Sequence, residues 1–210
     1  MKIDLHVHIK RTSRCARADI EDMAKAAIGV GLDGLVVLDH SYQSTKEECD
    51  RCMQKFPKIK LFRGAELCVF KDDLVLISAN TMNFLPPYRQ KFYDIDYLHE
   101  FSQSPHNLTI LAHPYRRSDQ ISWDLNKFHP NAVEIASTHI VKENRLKINL
   151  LAEAYGMNTV AVSDAHKTKY LGGYCIETDC EVNNEVDLIK VIKNGLYTPM
   201  ERRFRPVEII

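Results

Sequence analysis

The stretch Lys2-Ile3-Asp4-Leu5-His6-Val7-His8 decides how the rest of the chain is read. It is an apolar run that closes on two histidines one residue apart. In a strand, residues i and i+2 point to the same side, so both imidazoles face one space. Taken alone, such a pair reads best as surface or capping histidines. It does not stand alone. Leu35-Val36-Val37-Leu38 runs into Asp39-His40, the run 58–64 is followed by Glu66, the run 108–112 by His113, and the last run by Asp164-Ala165-His166. Several separate runs stopping on a histidine or carboxylate are hard to explain by structure alone.

Outward from these runs the chain alternates. Strand-like segments lie at 2–8, 34–39, 58–64, 74–79, 108–112, 132–136 and 157–163, and helix-like segments at 20–29, 45–56, 95–102, 141–155 and 186–194. Asp19 is placed to cap the first helix, and Gly156 follows the fourth as a C′ glycine should. Strands alternating with helices predict a parallel sheet of βα units, and continuous apolar runs fit strands buried on both faces. Seven strands in 210 residues suggest a closed or nearly closed α/β barrel, TIM-like and small. Only the link around Lys71-Asp72-Asp73 is too short for a helix. The segment 80–93, with Pro86-Pro87, reads as an active-site loop or lid, or as surface decoration.

Composition narrows the function classes. At 45% hydrophobic the chain can bury one sizeable core, so a single domain over 1–210 is the expectation. Twenty-eight basic residues balance 28 acidic ones, so no global field favours nucleic acid or a membrane. No signal-peptide pattern opens the chain and no apolar stretch is long enough to span a bilayer, which makes a cytoplasmic protein the default. The six cysteines form no disulfide framework, and Cys49 and Cys52 read as ordinary residues of a helix.

In a parallel barrel the strand C-termini gather at one mouth. His6, His8, His40, Glu66, His113, Asp164 and His166 all lie at or just past such an end. Converging ionisable groups repel one another, or leave buried polar atoms unsatisfied, unless metal ions neutralise them. Mixed histidine and carboxylate ligation suits Zn, Mn or Fe, and a shared carboxylate such as Glu66 can hold two ions about 3.5–4 Å apart, as two-metal hydrolases require.

At these residues the chain resembles the polymerase and histidinol phosphatase (PHP) family of metal-dependent phosphoesterases. The match runs from Asp4-Leu5-His6-Val7-His8 through Leu38-Asp39-His40, Gly64-Ala65-Glu66 and Ala112-His113-Pro114 to Ser163-Asp164-Ala165-His166, and the tail 192–199 looks like the family's closing helix and turn. The resemblance implies a distorted seven-stranded (β/α)7 barrel with two or three divalent ions. His6, His8, Glu66 and Asp164 would hold the first, Glu66 and His113 the second with a further ligand from the segment after Glu66, and His40 and His166 the third. Catalysis would run through a metal-activated water served by Glu66, Asp164 and His166.

Two departures from the family pattern stand out. The acid or histidine expected some five residues past His8 is missing from the loop 9–17, which leaves the third position weak or absent. Cys15 is an alternative soft ligand there, and not the favoured one. Asp73 stands where a histidine often opens the fourth strand; it can ligate through oxygen, or serve only as a turn residue. The first loop carries Lys10, Arg11, Arg14 and Arg17, and Arg116 and Arg117 follow His113-Pro114. Arg14, Arg17, Arg116 and Arg117 are the candidate phosphate-binding residues, against the plainer reading of solvated loops. His139 can line the pocket or act as an acid, and Glu134 can orient a ligand histidine. His99, His106 and His129 read as surface residues. The expected substrate is a small phosphomonoester, with nucleic acid not favoured. A nuclease of short ends, or a noncatalytic metal-holding barrel, are the competing readings.

Overall fold

The structure, a computed structural model, describes residues 1–11 and 13–202; Thr12 and the last eight positions of the expected 1–210 domain lie outside them. The elements are β1 (Lys2–Val7), α1 (Ile20–Gly29), β2 (Gly34–Val37), α2 (Lys46–Lys55), β3 (Lys60–Val69), β4 (Asp72–Ser78), α3 (Ile95–Gln103), β5 (Asn107–Ala112), β6 (Ala132–Ala136), α4 (Asn144–Tyr155), β7 (Asn158–Ala161), β8 (Tyr174–Glu177), α5 (Glu185–Lys193) and β9 (Thr198–Glu201). They build one nine-stranded sheet in the order β7-β6-β5-β4-β3-β2-β1-β8-β9. Past β7, Ala165 pairs with the end of β1: His8 N donates to Ala165 O at 3.0 Å and Ala165 N to His6 O at 3.2 Å. The sheet is thus a nearly closed barrel.

An α/β fold with a nearly closed, barrel-shaped sheet agrees with the sequence reading, whereas the described residues form nine strands rather than seven. The two unforeseen strands, β8 and β9, pair antiparallel with each other, and β8 runs antiparallel beside β1. They are four-residue segments without apolar periodicity, β8 burying only Cys175 and Ile176 and β9 lying at the surface, so no pattern marked them. A second correction concerns direction. β4 is antiparallel to both β3 and β5, as the short connection around Lys71 requires.

β2 shows why the continuous apolar runs occur. Val36 and Leu38 enter the barrel interior with Ile3, Leu5, Phe62 and Ile110, while Leu35 and Val37 pack under α1 and α2 against Met23, Ala27 and Cys49. A third cluster, from Leu67 and Leu76 to Phe101, Trp123 and Phe128, lies under α3 and α4. α5 sends Leu188, Ile189 and Ile192 into the interior among Ile3, Leu108 and Ala132, which lie at the starts of their strands, and so fills the end opposite the mouth.

Helix ends follow local chemistry. Asp19 accepts from Asp22 N at 2.9 Å, Thr45 and Glu48 form a reciprocal capping box, and Gly156 closes α4 with φ +64°. Gly64 is a different case. There β3 leaves its parallel partner β2 and joins β4, and a Cβ would lie 2.3 Å from Leu38 Cδ2 and 2.7 Å from Leu76 O. Glycine is required by close approach, and this crossing aims Glu66 into the mouth. No helix among the described residues is long and apolar enough to cross a membrane.

Candidate metal centre

The eight residues expected to hold metal all meet at one end of the barrel. Their ligand atoms form three groups, each with atoms within 4.8 Å of one another: His6, His8 and Asp164; Glu66, Asp73 and His113; His8, His40 and His166. β1 supplies His6, and His8 follows its last residue; their Nε2 atoms face each other at 3.0 Å. Past their strands the chain turns through left-handed backbone, with φ 26° at His113 and 51° at Asp164. Such angles are costly for residues with a Cβ and concentrate at functional sites. Here they swing both side chains back over the mouth.

Glu66 sits at the middle. Its Oε1 lies 3.2 Å from His113 Nε2 and 3.7 Å from His6 Nε2, and its Oε2 lies 2.8 Å from His40 Nδ1 and 3.4 Å from His8 Nε2. Asp164 Oδ1 is 3.4 Å from Nε2 of both His6 and His8, and its Oδ2 is 2.5 Å from His139 Nδ1. Even so, Glu66 Oε2 and Asp164 Oδ1 are buried without a partner in hydrogen-bonding geometry. Orphaned carboxylate oxygens facing imidazole nitrogens are costly as they stand and well suited to a divalent cation. The donor set fits the metal ions that the fold implies.

Asp73 belongs to a strand, not to a turn. Because β4 is antiparallel, its first residues lie beside the last residues of β3 and β5, with Asp73 opposite Cys68 and Ala112. That places Oδ2 3.7 Å from His113 Nε2 and 2.6 Å from Arg117.

An outer layer fixes the inner one. Glu134 Oε1 is 2.7 Å from His6 Nδ1, and its Oε2 accepts His113 N at 2.7 Å. One buried carboxylate therefore orients a ring and holds a backbone, and it leaves His6 Nε2 free to face the centre. Asp4 accepts from Ser163 N at 3.0 Å and ties β1 to the Asp164 segment. Asp39 accepts from Ile9 N and from Ser13 Oγ, which steadies the first loop.

Protonation follows burial against charge. Burial opposes charge on Glu66 and Asp164, but the surrounding histidines outweigh it and hold both carboxyls below their usual range. Burial likewise opposes a proton on His6; Asp164, Glu134 and Glu66 overcome it and lift the ring to about 10. His8 has no such surplus, and burial pushes it down to about 4. Burial raises Asp4 and Asp39 to about 6.

Two cavities open on the centre. One, of about 390 Å³, is lined by Cys15, Arg116, Thr138, His139, Asp164, His166 and Tyr170. The other, of about 190 Å³, is lined by His40, Ser41, Glu66, Cys68, Asp73, Arg89 and Arg117. Arg116 and Arg117 thus reach the mouth from opposite sides. Arg14 and Arg17 line neither cavity; the Arg14 guanidinium lies over the Tyr88 ring and Arg17 is exposed. Tyr88 and Arg89 are site residues that the sequence reading passed over, with the Tyr88 ring 5.9 Å from His40 and Arg89 3.5 Å from its Nε2. Their signal was a basic and aromatic pair directly after Pro86-Pro87 in a long polar loop. His99, His106 and His129 are exposed, away from the mouth.

Residues 142–196 match a family model described as PHP-associated. No curated protein matches the sequence. Among solved structures, PsfC from Pseudomonas syringae superposes with a TM-score of 0.70 at 19% identity, covering 96% of this chain and 91% of that one. A two-domain Bacteroides vulgatus protein containing a predicted PHP-like metal-dependent phosphoesterase gives 0.69 at 14% identity, over 96% of this chain and 64% of that one. An amidohydrolase from Chromobacterium violaceum, with sulfate bound and no metal, gives 0.61 at 13%, over 80% and 88%. At these identities the likeness to the solved structures is one of fold. Together, fold, C-terminal match and motifs support the PHP family.

Proposed function

We propose, from a chain with PHP-type motifs and a PHP-like fold, that it is a metal-dependent hydrolase of phosphoester bonds acting on a small phosphomonoester. The observation that carries this reading is Glu66: a buried carboxylate between two clusters of donors, one oxygen toward His113 and the other toward His8 and His40. That is the arrangement a bridging ligand needs. His6, His8 and Asp164 would hold one ion, Glu66, Asp73 and His113 a second, and His40 and His166 belong to a third position. Ions held there supply a nucleophile from water and offset the charge that builds on the phosphoryl oxygens.

The chain's own residues do the rest. Arg116, with a guanidinium nitrogen 3.9 Å from Asp164 in the larger cavity, binds the substrate phosphate, and Arg117 and Arg89 present further positive charge from the smaller one. His139 is one-third exposed at the wall of the larger cavity and held by Asp164, so it can hand a proton to the leaving oxygen. A cavity of this size and a chain without net charge favour a compact substrate over a polynucleotide.

The test is turnover by the metal-stripped chain reloaded with zinc, manganese or iron. A chromogenic phosphomonoester should be hydrolysed faster than the matching diester, a short oligonucleotide or a chromogenic amide. Preference for the diester or oligonucleotide would move the reading to a nuclease, and preference for the amide would move it to an amidohydrolase like the Chromobacterium neighbour. Bound metal without turnover of any of them would leave a noncatalytic barrel.

A further inference from the structure

We propose that Cys15 is a metal ligand: its thiolate joins His40 and His166 in a sulfur-containing position at the edge of the mouth, one that prefers zinc to manganese or magnesium. The inference rests on the mouth holding divalent ions, and adds which residue completes one position and which class of metal it takes.

Cys15 Sγ lies 3.4 Å from His40 Nε2, and Cys15 and His166 line the same cavity. In a tetrahedral site, bonds of about 2.3 Å to sulfur and about 2.05 Å to nitrogen put the two ligand atoms about 3.6 Å apart. The sulfur already stands near ligand spacing. His40 Nδ1 is turned to Glu66 at 2.8 Å, which leaves Nε2, the nitrogen facing Cys15, as its donor. His8 groups both with His40 and His166 and with His6 and Asp164. With His8 serving the second of these, His40 and His166 remain as two donors, to which the sulfur beside His40 adds a third.

The loop holds the thiol in place. Lys10 N donates to Ala18 O, Ser13 N to Ile9 O, Ala16 N to Ser13 O and Arg17 N to His166 O, while Ser13 Oγ donates to Asp39. The loop's charges are directed elsewhere: Arg11 pairs with Glu48, and Arg14 lies over Tyr88. Arg89 approaches His40 Nε2 at 3.5 Å but belongs to a different, exposed loop. Asp19, the nearest acid of the segment, is occupied in capping α1. A thiolate among imidazoles suits zinc, cobalt or cadmium, whereas carboxylate-rich positions accept manganese.

The full chain, stripped and reloaded with Co(II), should show a sulfur-to-cobalt charge-transfer band that Cys15→Ser abolishes and Cys68→Ser preserves. In the unaltered chain, zinc should protect Cys15 from iodoacetamide, read by peptide mass, while exposed Cys180 still reacts. Zinc retention at this position in Cys15→Ser should fall by more than the 10–100-fold that loss of an outer partner typically costs. A band that survives Cys15→Ser, or unprotected Cys15 in a chain saturated with zinc at all three positions, overturns the assignment and leaves the reading of the mouth intact. If neither zinc nor cobalt binds at all, both fall. Should Cys15→Ser not fold, the alkylation experiment decides on the unaltered chain.

Discussion

On one flank of the mouth, loops that follow β1, β2 and β7 bring together Cys15, His40 and His166; on the other, β3, β4 and the end of β5 bring together Glu66, Asp73 and His113. The first flank is sulfur and nitrogen, half-buried, and held by turns. The second is carboxylate-rich, buried, and fixed by strand register, with Asp73 opposite Ala112. The difference lies in how each fold element delivers a donor. A parallel strand places its functional residue just after its end, on a loop free to vary in chemistry. An antiparallel strand entering at the mouth places one inside the ladder, where position is rigid. Glu66 joins the two flanks, with one oxygen toward each.

The largest effect should therefore come from Glu66→Ala, which empties both flanks at once. Elemental analysis should show loss of at least one metal equivalent, and phosphomonoester turnover should vanish. Normal metal content with near-normal turnover would refute the bridging role. His99→Ala, on the outside of α3, should change neither.

Gly64→Ala tests the crossing that aims Glu66. The new methyl meets a side chain at 2.3 Å and a carbonyl oxygen at 2.7 Å, so β3 must shift against β2 and β4. Overpacking of this kind costs on the order of 3 kcal/mol. Urea unfolding should show the midpoint falling with little change in slope; an unchanged midpoint would mean the strands accommodate the methyl freely.

Glu134→Gln should separate the strand-built part of the mouth from the loop flank. Its oxygens fix the His6 ring and the His113 backbone and touch nothing near Cys15. Metal affinity at the positions using His6 and His113 should drop about 10–100-fold, the usual cost of losing an outer-sphere partner. The charge-transfer band of the Cys15 position should persist. Equal loss on both sides would show that the centre behaves as one unit.

Much of this centre was legible from strand ends alone. His6, His8, His40, His113, Asp164 and His166 all close apolar runs, and a parallel barrel collects such residues whatever the details of its connections. Glu134 was readable as an outer partner because it sits inside a short apolar strand, where a carboxylate needs a reason. What the sequence hid depends on tertiary geometry. Asp73 was named as an oxygen ligand, but only the antiparallel direction of β4 shows how it becomes a buried neighbour of His113. The loop 80–93 delivers Tyr88 and Arg89 to His40, and no periodicity predicts where a loop returns. β8 and β9 carry too little apolar pattern to register as strands. Cys15 shows the same limit: spacing along the chain made it a poor substitute for the missing acid, and only the folded loop sets its sulfur beside His40 and His166.

The two arginines after His113 should differ although they are adjacent. Arg116 faces the larger cavity, 3.9 Å from Asp164, while Arg117 is engaged by Asp73 at 2.6 Å. Arg116→Ala should raise KM for a phosphomonoester about tenfold, the loss of one charge-assisted hydrogen bond, with metal content unchanged. Arg117→Ala should raise KM less and instead alter metal retention on the carboxylate flank, because it releases Asp73. Wild-type kinetics in both would remove the arginines from phosphate binding.

The smallest effect belongs to the thiols of α2, a reference for the thiol at the mouth. Cys49 and Cys52 are packed in the apolar layer under α1 and α2, where burial pushes the first up to about 12 and the second to about 11. Only the thiolate attacks an alkylating reagent, so both should stay inert in the native chain at pH 8. A thiol whose folded pKa is raised keeps its proton while the unfolded chain loses it. The stability this contributes is fully present below about 8.5, the ordinary thiol value, and declines as pH rises toward the folded values near 11 and 12. Native-state alkylation mapped from pH 8 to pH 11 should therefore show these two cysteines reacting late and together, as the helix layer loosens. Zinc at the mouth should have no direct bearing on them. If zinc protected Cys49 or Cys52 at pH 8 as well as Cys15, the protection would report global stabilisation, and only the cobalt band would then speak for a bond to Cys15.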